Sequence, residues 1–153
     1  MSPAIRDILL LLHLLGAIVW IGGMFFAHFC LRPAAIATLD PPQRLPLFVA
    51  TFDRFFRYTA VAVVVILASG IIMFAGSGLP RAPMGWNIMM ALGLVMALIF
   101  TYIYLVLYPR LRAHCSASAW PDAAKVLNGI RQLVSVNLVL ALCTVAAAVL
   151  SRQ

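Results

Sequence analysis

Acidic side chains are scarce in this chain, whose 153 residues include four aspartates and no glutamate. None of the aspartates falls within a long apolar stretch. A serine–histidine–acid set, a glycine-rich phosphate loop and a zinc-protease signature are also missing. We therefore do not expect an acid–base hydrolase, and the only enzymatic activity that we consider is that of a haem-dependent membrane oxidoreductase.

Cysteine motifs are missing as well, because Cys30, Cys115 and Cys143 show no CxxC spacing. We expect no structural disulfide, since the charge pattern described below places Cys30 and Cys115 at the reducing, cytoplasmic side. Cys143 lies within an apolar stretch, where we expect a small buried residue.

Hydrophobic residues, in contrast, make up 65% of the chain, and its mean hydropathy is +1.06. A membrane-spanning helix needs about 20 mainly apolar residues. Four stretches qualify, at 8–31, 59–79, 86–108 and 133–150, and we expect Pro33 and Pro109 to end the first and third helices. The sequence thus predicts an all-α fold, with residues 1–153 forming a single transmembrane domain: a four-helix bundle in contact with the lipid bilayer.

The net charge of +7 is unevenly distributed between the two ends of this bundle. Eight basic residues lie in or beside the first and third loops, and the other end carries Arg6, Arg81 and Arg152. Because loops rich in Lys and Arg stay in the cytoplasm, we predict cytoplasmic first and third loops, both termini outside, and a multi-pass protein of a bacterial inner membrane. The basic residues form no single patch, so we expect no nucleic-acid partner.

Residues 45–58, which precede the second span, have an amphipathic pattern. Apolar residues recur at helical spacing on one side, namely Phe48, Phe52, Phe55 and Phe56. This pattern is typical of a helix that lies in the headgroup region. We therefore predict a cytoplasmic interfacial helix that runs into the second span.

The first span contains His13 and His28. At 100° per residue, His13 shares one stripe with Trp20 and Met24, and Gly16 lies close by, which marks the face turned toward the other helices. Fifteen residues separate the two histidines by about 22 Å along a helix, so they cannot bind one ion within a chain. The other spans contain no histidine, which excludes a bis-histidine haem within one chain.

Soft-metal ligands fall at both ends of the predicted bundle, since Cu(I) selects thioether, thiolate and imidazole groups. The outer end is expected to hold His13, Met73, Met84, Met89 and Met90. The inner end is expected to hold His28, Cys30, His114 and Cys115. An alternative stays open, because methionines also serve as packing and a histidine can simply bond to a hydroxyl or carbonyl group.

Residues 11–26, LLHLLGAIVWIGGMFF, resemble the first helix of the CopD copper-resistance membrane family. Residues 54–57, RFFR, and residues 130–138, IRQLVSVNL, are similar to that family too. The resemblance implies a role in copper uptake or resistance.

The spacing of His13, Trp20 and Gly23 is also similar to the HemJ-type protoporphyrinogen oxidases, which are small four-span proteins. That resemblance implies a haem b near His13, with Trp20 packing on the porphyrin. The chain departs from the pattern in its third helix, where Tyr102 and Tyr104 replace the histidine-bearing end.

Three hypotheses follow. The first is a CopD-like inner-membrane protein that binds or conducts copper, and the second is a haem b redox protein. The third is a membrane scaffold subunit without a cofactor. Glycines at positions 16, 23 and 70 permit a homodimer.

Overall fold

The computed structural model describes residues 2–76 and 84–150. Four of its helices are long and apolar enough to cross a membrane: Pro3–Thr38, Pro41–Gly76, Met84–Ser116 and Trp120–Leu150. These two ranges contain no strand, so the predicted all-helical membrane fold is confirmed. The cytoplasmic placement of the loops stays a prediction. Residues 77–79 of the predicted second span, and also Arg81 and Arg152, lie outside the described ranges.

The first and third long helices continue through the prolines that were expected to end them. Each contains one π-helical turn before its proline, in which the Arg32 N–H bonds the Ala27 carbonyl and the Tyr108 N–H bonds the Ile103 carbonyl. The wider turn makes room for a proline ring that would otherwise clash with the carbonyl four residues back. The segments are α1 (Pro3–Phe26), π turn Ala27–Leu31 and α2 (Arg32–Thr38), then α4 (Met84–Tyr102), π turn Ile103–Leu107 and α5 (Tyr108–Ser116).

The second long helix, α3, is continuous over Pro41–Gly76, so no separate interfacial helix precedes the second span. Phe48, Phe52 and Phe56 are buried within the bundle. The predicted helix that runs into the second span is therefore confirmed, and its position in the headgroup region stays a prediction. Helical periodicity shows only that one face is apolar, and here that face packs against protein instead of lipid.

The fourth long helix, α6 (Trp120–Leu150), folds back on α5 through a tight turn at Ser118, whose φ is 55°. The N–H groups of Ser118 and Ala119 bond the carbonyls of Cys115 and His114 at 3.1 and 2.9 Å. These two bonds form a Schellman motif, which satisfies the last carbonyls of α5. Farther along α6, the buried Asn137 side chain donates to the Met96 carbonyl of α4 at 3.2 Å.

Three glycines that were expected to permit a homodimer pack inside the chain instead. An added Cβ at Gly16 would lie 2.8 Å from Ile66, and one at Gly23 would lie 2.2 Å from Phe55. Gly70 lies against His13 in the same way. These glycines allow α1 and α3 to approach closely, which is the role of small residues between membrane helices.

The three cysteines are free thiols. Cys143 is exposed on the surface of α6, so the prediction of a buried residue was wrong. Its stretch of α6 is apolar on several faces, and an apolar position within a membrane span can face lipid as well as the core.

Candidate metal site

His13 lies on the face of α1 that packs against α3. Gly16, Trp20 and Met24 of the same stripe are buried, and His13 itself is partly buried. The predicted stripe is therefore confirmed as the inward face of α1. Its one ionisable side chain is brought against Ser69 and Gly70 of α3.

Gly70 provides the space that the imidazole occupies. A Cβ added there would lie 3.3 Å from Cε1 of His13, which is tighter than ordinary contact, and 3.6 Å from Nδ1, which is an ordinary contact. The same Cβ would lie 3.9 Å from the methyl carbon of Met90 on α4. The imidazole and one of the predicted thioether ligands thus approach the same point of α3 from two different helices.

Hydrogen bonds around Ser69 determine which ring nitrogen of His13 carries the proton. The Ser69 hydroxyl lies 2.6 Å from the Val65 carbonyl and 3.1 Å from the Ile66 carbonyl, and it lies 3.0 Å from Nδ1 of His13. A hydroxyl has one hydrogen to donate, and the carbonyls, which can only accept, take it. Its oxygen therefore accepts from the Nδ1–H group of a neutral ring, which leaves the lone pair of Nε2 available for a metal ion.

The remaining outer methionines differ in exposure. Met73, one turn after Gly70, and Met89, next to Met90, are partly buried, whereas Met84 is 79% exposed at the start of α4. Met84 is therefore poorly placed for a site inside the bundle. The structure brings Met90 nearest to the point that His13 occupies, and Met73 and Met89 stay predicted ligands.

Trp20 does not present a free face to a porphyrin. It is 3% exposed, and its indole packs edge-to-face on Phe100 of α4 with ring centroids 6.1 Å apart. Phe100 in turn packs on Phe56 and Tyr104, so the indole belongs to the aromatic core of the bundle. The residues around Trp20 therefore do not fit the haem that the second hypothesis placed there.

At the other end of the bundle, His28 lies in the π turn of the first long helix, close enough to Arg32 and Arg131 to feel their charge. Cys30 is exposed and Cys115 is partly buried. Within the described ranges, no three His, Cys, Asp or Glu side chains are arranged to hold one metal ion. The inner ligand set of His28, Cys30, His114 and Cys115 stays a prediction, and the two arginines disfavour a cation beside His28.

Sequence reasoning considered Gly70 only as a residue that permits helices to approach, and it missed the contact of Ser69 and Gly70 with His13. A signal was available, because a hydroxyl within an otherwise apolar span needs a hydrogen-bond partner. The sequence does not show which helix supplies that partner.

The comparison with protein families matches residues 49–151 to the family described as copper resistance protein D, CopD. The comparisons with curated proteins and with solved structures give no match, and none of the three supports the HemJ resemblance. The matched range includes residues 54–57 and 130–138, on which part of the resemblance depends, but α1 with His13 precedes it. The match covers about two-thirds of the chain, and the chain therefore belongs to the CopD family of membrane proteins.

Proposed function

We propose that this CopD-family protein binds Cu(I) within its helix bundle, as part of copper transport or homeostasis in the bacterial inner membrane. His13 supplies Nε2 as the nitrogen ligand, and Met90 supplies a thioether sulfur from α4. The observation that carries the proposal is the hydrogen bond between Nδ1 of His13 and Ser69. Histidines that bind metals commonly donate their other ring N–H to a group that fixes the ring.

The chemistry of the two ligands favours a soft monovalent ion. Imidazole and thioether are both neutral, and Cu(I) accepts them readily, whereas hard ions such as Mg²⁺ prefer carboxylate and water oxygens. No aspartate lies within the apolar stretches of the chain. Copper is the cargo in this proposal, and Met73 and Met89, at the same end of the bundle, are its further candidate ligands.

The test is a Cu(I) titration of the purified protein in detergent, in competition with a chromophoric Cu(I) chelator. Wild-type protein is compared with His13→Ala and with Met90→Leu, which keeps the size of the side chain. We expect each substitution to weaken Cu(I) binding by about tenfold or more, because each removes a ligand.

Met84→Leu is the matched control, since Met84 is exposed on the same helix as Met90. It should leave Cu(I) affinity unchanged. Unchanged affinity in both His13→Ala and Met90→Leu, in protein that elutes as wild type on gel filtration, would contradict the proposal. Equal losses in Met90→Leu and Met84→Leu would contradict the assignment of Met90.

A further inference from the structure

A cleft opens at the end of the bundle opposite the His13 site, where the first long helix, the first half of α3 and the first half of α6 meet. Its volume is about 50 Å³. The side chains around it are mostly apolar, and the aromatic ones come from a single helix, α3: Phe48, Phe52, Phe55 and Phe56. A cleft of this volume is too small to enclose a whole ligand, so it can bind only one end of a larger molecule that lies across its mouth.

The cleft also carries positive charge without a balancing acid. Arg32 and Arg131 line it from the first and fourth long helices, His28 lines it as well, and none of the lining residues is acidic. Arg131 donates its Nε–H to Asn128 at 3.0 Å, which leaves its other guanidinium donors free of that bond. Within residues 2–76 and 84–150, neither arginine forms an ion pair.

Arg32 and Arg131 are partly exposed, so their guanidinium groups can attract an anion at the mouth of the cleft. A metal cation is disfavoured there, whereas a phosphate group can accept two parallel N–H bonds from an arginine. The apolar part of the same ligand would lie against partly exposed apolar side chains of the lining, such as Phe55 and Val134. A membrane contains such molecules in abundance as anionic phospholipids, and basic pockets between membrane helices bind their headgroups.

We infer that this cleft is a binding site for an anionic phospholipid, whose phosphate group binds Arg32 and Arg131 and whose first acyl carbons lie against Phe55 and Val134, which are partly exposed in the lining. The positive-inside rule, applied to the same basic residues, predicts that this end of the bundle faces the cytoplasmic leaflet. The site is independent of copper, since its residues and those of the His13 site do not overlap.

The test measures which lipids stay bound after the protein is purified from mixed micelles of phosphatidylglycerol and phosphatidylcholine with identical acyl chains. Native mass spectrometry counts the bound lipids. We expect wild-type protein to retain phosphatidylglycerol preferentially, and each of Arg32→Gln and Arg131→Gln to lower that preference roughly fivefold. Arg32→Lys and Arg131→Lys keep the charge and should retain most of the preference.

Arg110→Gln is the matched control, because Arg110 is exposed on α5 and does not line the cleft. It should retain the wild-type preference. An equal loss in Arg110→Gln would show general surface attraction and would overturn the site, as would retention of phosphatidylcholine at the level of phosphatidylglycerol.

Two further measurements distinguish a phospholipid from other anions. Inorganic phosphate at millimolar concentration should not displace the lipid, because it lacks the apolar part that Phe55 and Val134 contact. Displacement by phosphate alone, or preferred retention of a fatty acid or another carboxylate, would overturn the assignment to a phospholipid. Gel filtration and the thermal midpoint of each variant identify any that misfold, and for such a position the charge-retaining Lys variant provides the comparison.

Discussion

The two histidines of the first long helix lie in opposite chemical surroundings. His13 lies against the hydroxyl group of Ser69 and against Gly70, and the thioether of Met90 is near the same point. All of these groups are neutral. His28 lies beside two arginines at the mouth of an aromatic cleft. In the two proposals above, a histidine side chain therefore lies at a cation site at one end of the bundle and at an anion site at the other end.

This difference arises from the helices that pack against each histidine. His13 meets the Ser69-Gly70 pair of α3, where small residues let the ring approach and a hydroxyl fixes its proton. His28 meets α6 where that helix carries Arg131. Ligand type alone therefore does not distinguish a metal site from an anion site, and the charge of the neighbouring helices does.

The largest effect that separates the two regions is expected for Ser69→Ala. Without the hydroxyl, the proton on Nδ1 loses its Ser69 acceptor, so the neutral ring can place it on Nε2 and lose the lone pair needed by the metal. Removing such a partner typically lowers metal affinity about 10- to 100-fold. Cu(I) titration should show this loss while retention of phosphatidylglycerol stays at the wild-type level.

Thr101→Val is the control for Ser69→Ala, since the Thr101 hydroxyl bonds the Ala97 carbonyl at 2.8 Å in the same helix-internal way. It should leave Cu(I) affinity unchanged. If Ser69→Ala binds Cu(I) as tightly as wild type does, the bond to Ser69 only satisfies the hydrogen-bonding need of a partly buried histidine. The difference between His13 and His28 would then say nothing about metal binding.

Much of the fold could be predicted from the sequence because apolar length is a direct requirement of the bilayer. The four long helices and the inward stripe of α1 follow from counting and from helical periodicity. The passage of helices through Pro33 and Pro109 could not be predicted in this way. A π turn depends on local backbone relaxation that a proline alone does not specify.

The candidate metal site could be predicted from the sequence only in part, for a related reason. His13 is conspicuous in the sequence, but Ser69 is 56 positions away, and only the packing of α1 on α3 brings the two together. The phenylalanines of α3 show the same limit, since their periodicity is equally compatible with a lipid surface and with a cleft in the bundle. Sequence pattern identifies a face, and tertiary packing determines what the face meets.

An intermediate effect, confined to the cleft, is expected for Gly23→Ala. The added Cβ would lie 2.2 Å from Cε2 of Phe55, so this ring has to move within the cleft that it lines. Overpacking of this kind typically costs about 1–3 kcal/mol of stability. We expect a lower thermal midpoint and a several-fold loss of phosphatidylglycerol retention, with Cu(I) affinity unchanged.

The neighbouring residue provides the control, because a Cβ added at Gly22 meets nothing within 4 Å. Gly22→Ala should match or exceed wild-type stability, since alanine favours a helix more than glycine does. A loss of Cu(I) affinity in Gly23→Ala would show that the two ends of the bundle are coupled, contrary to the independence inferred above.

The smallest effect is expected for Gly70→Ala, which changes the shape of the His13 site without removing a ligand. The new Cβ would lie 3.3 Å from Cε1 of His13, so the ring has to shift by a few tenths of an ångström. A shift of this size changes the geometry of the bond to Ser69, and we expect Cu(I) affinity to fall by about three- to fivefold, less than the loss from removing a supporting partner. Gly93→Ala is the control, since its Cβ meets nothing within 4 Å. Because a Cβ at Gly70 would lie near both the imidazole and the Met90 methyl group, unchanged Cu(I) affinity in Gly70→Ala would contradict a site between these two side chains, even if His13→Ala reduced binding.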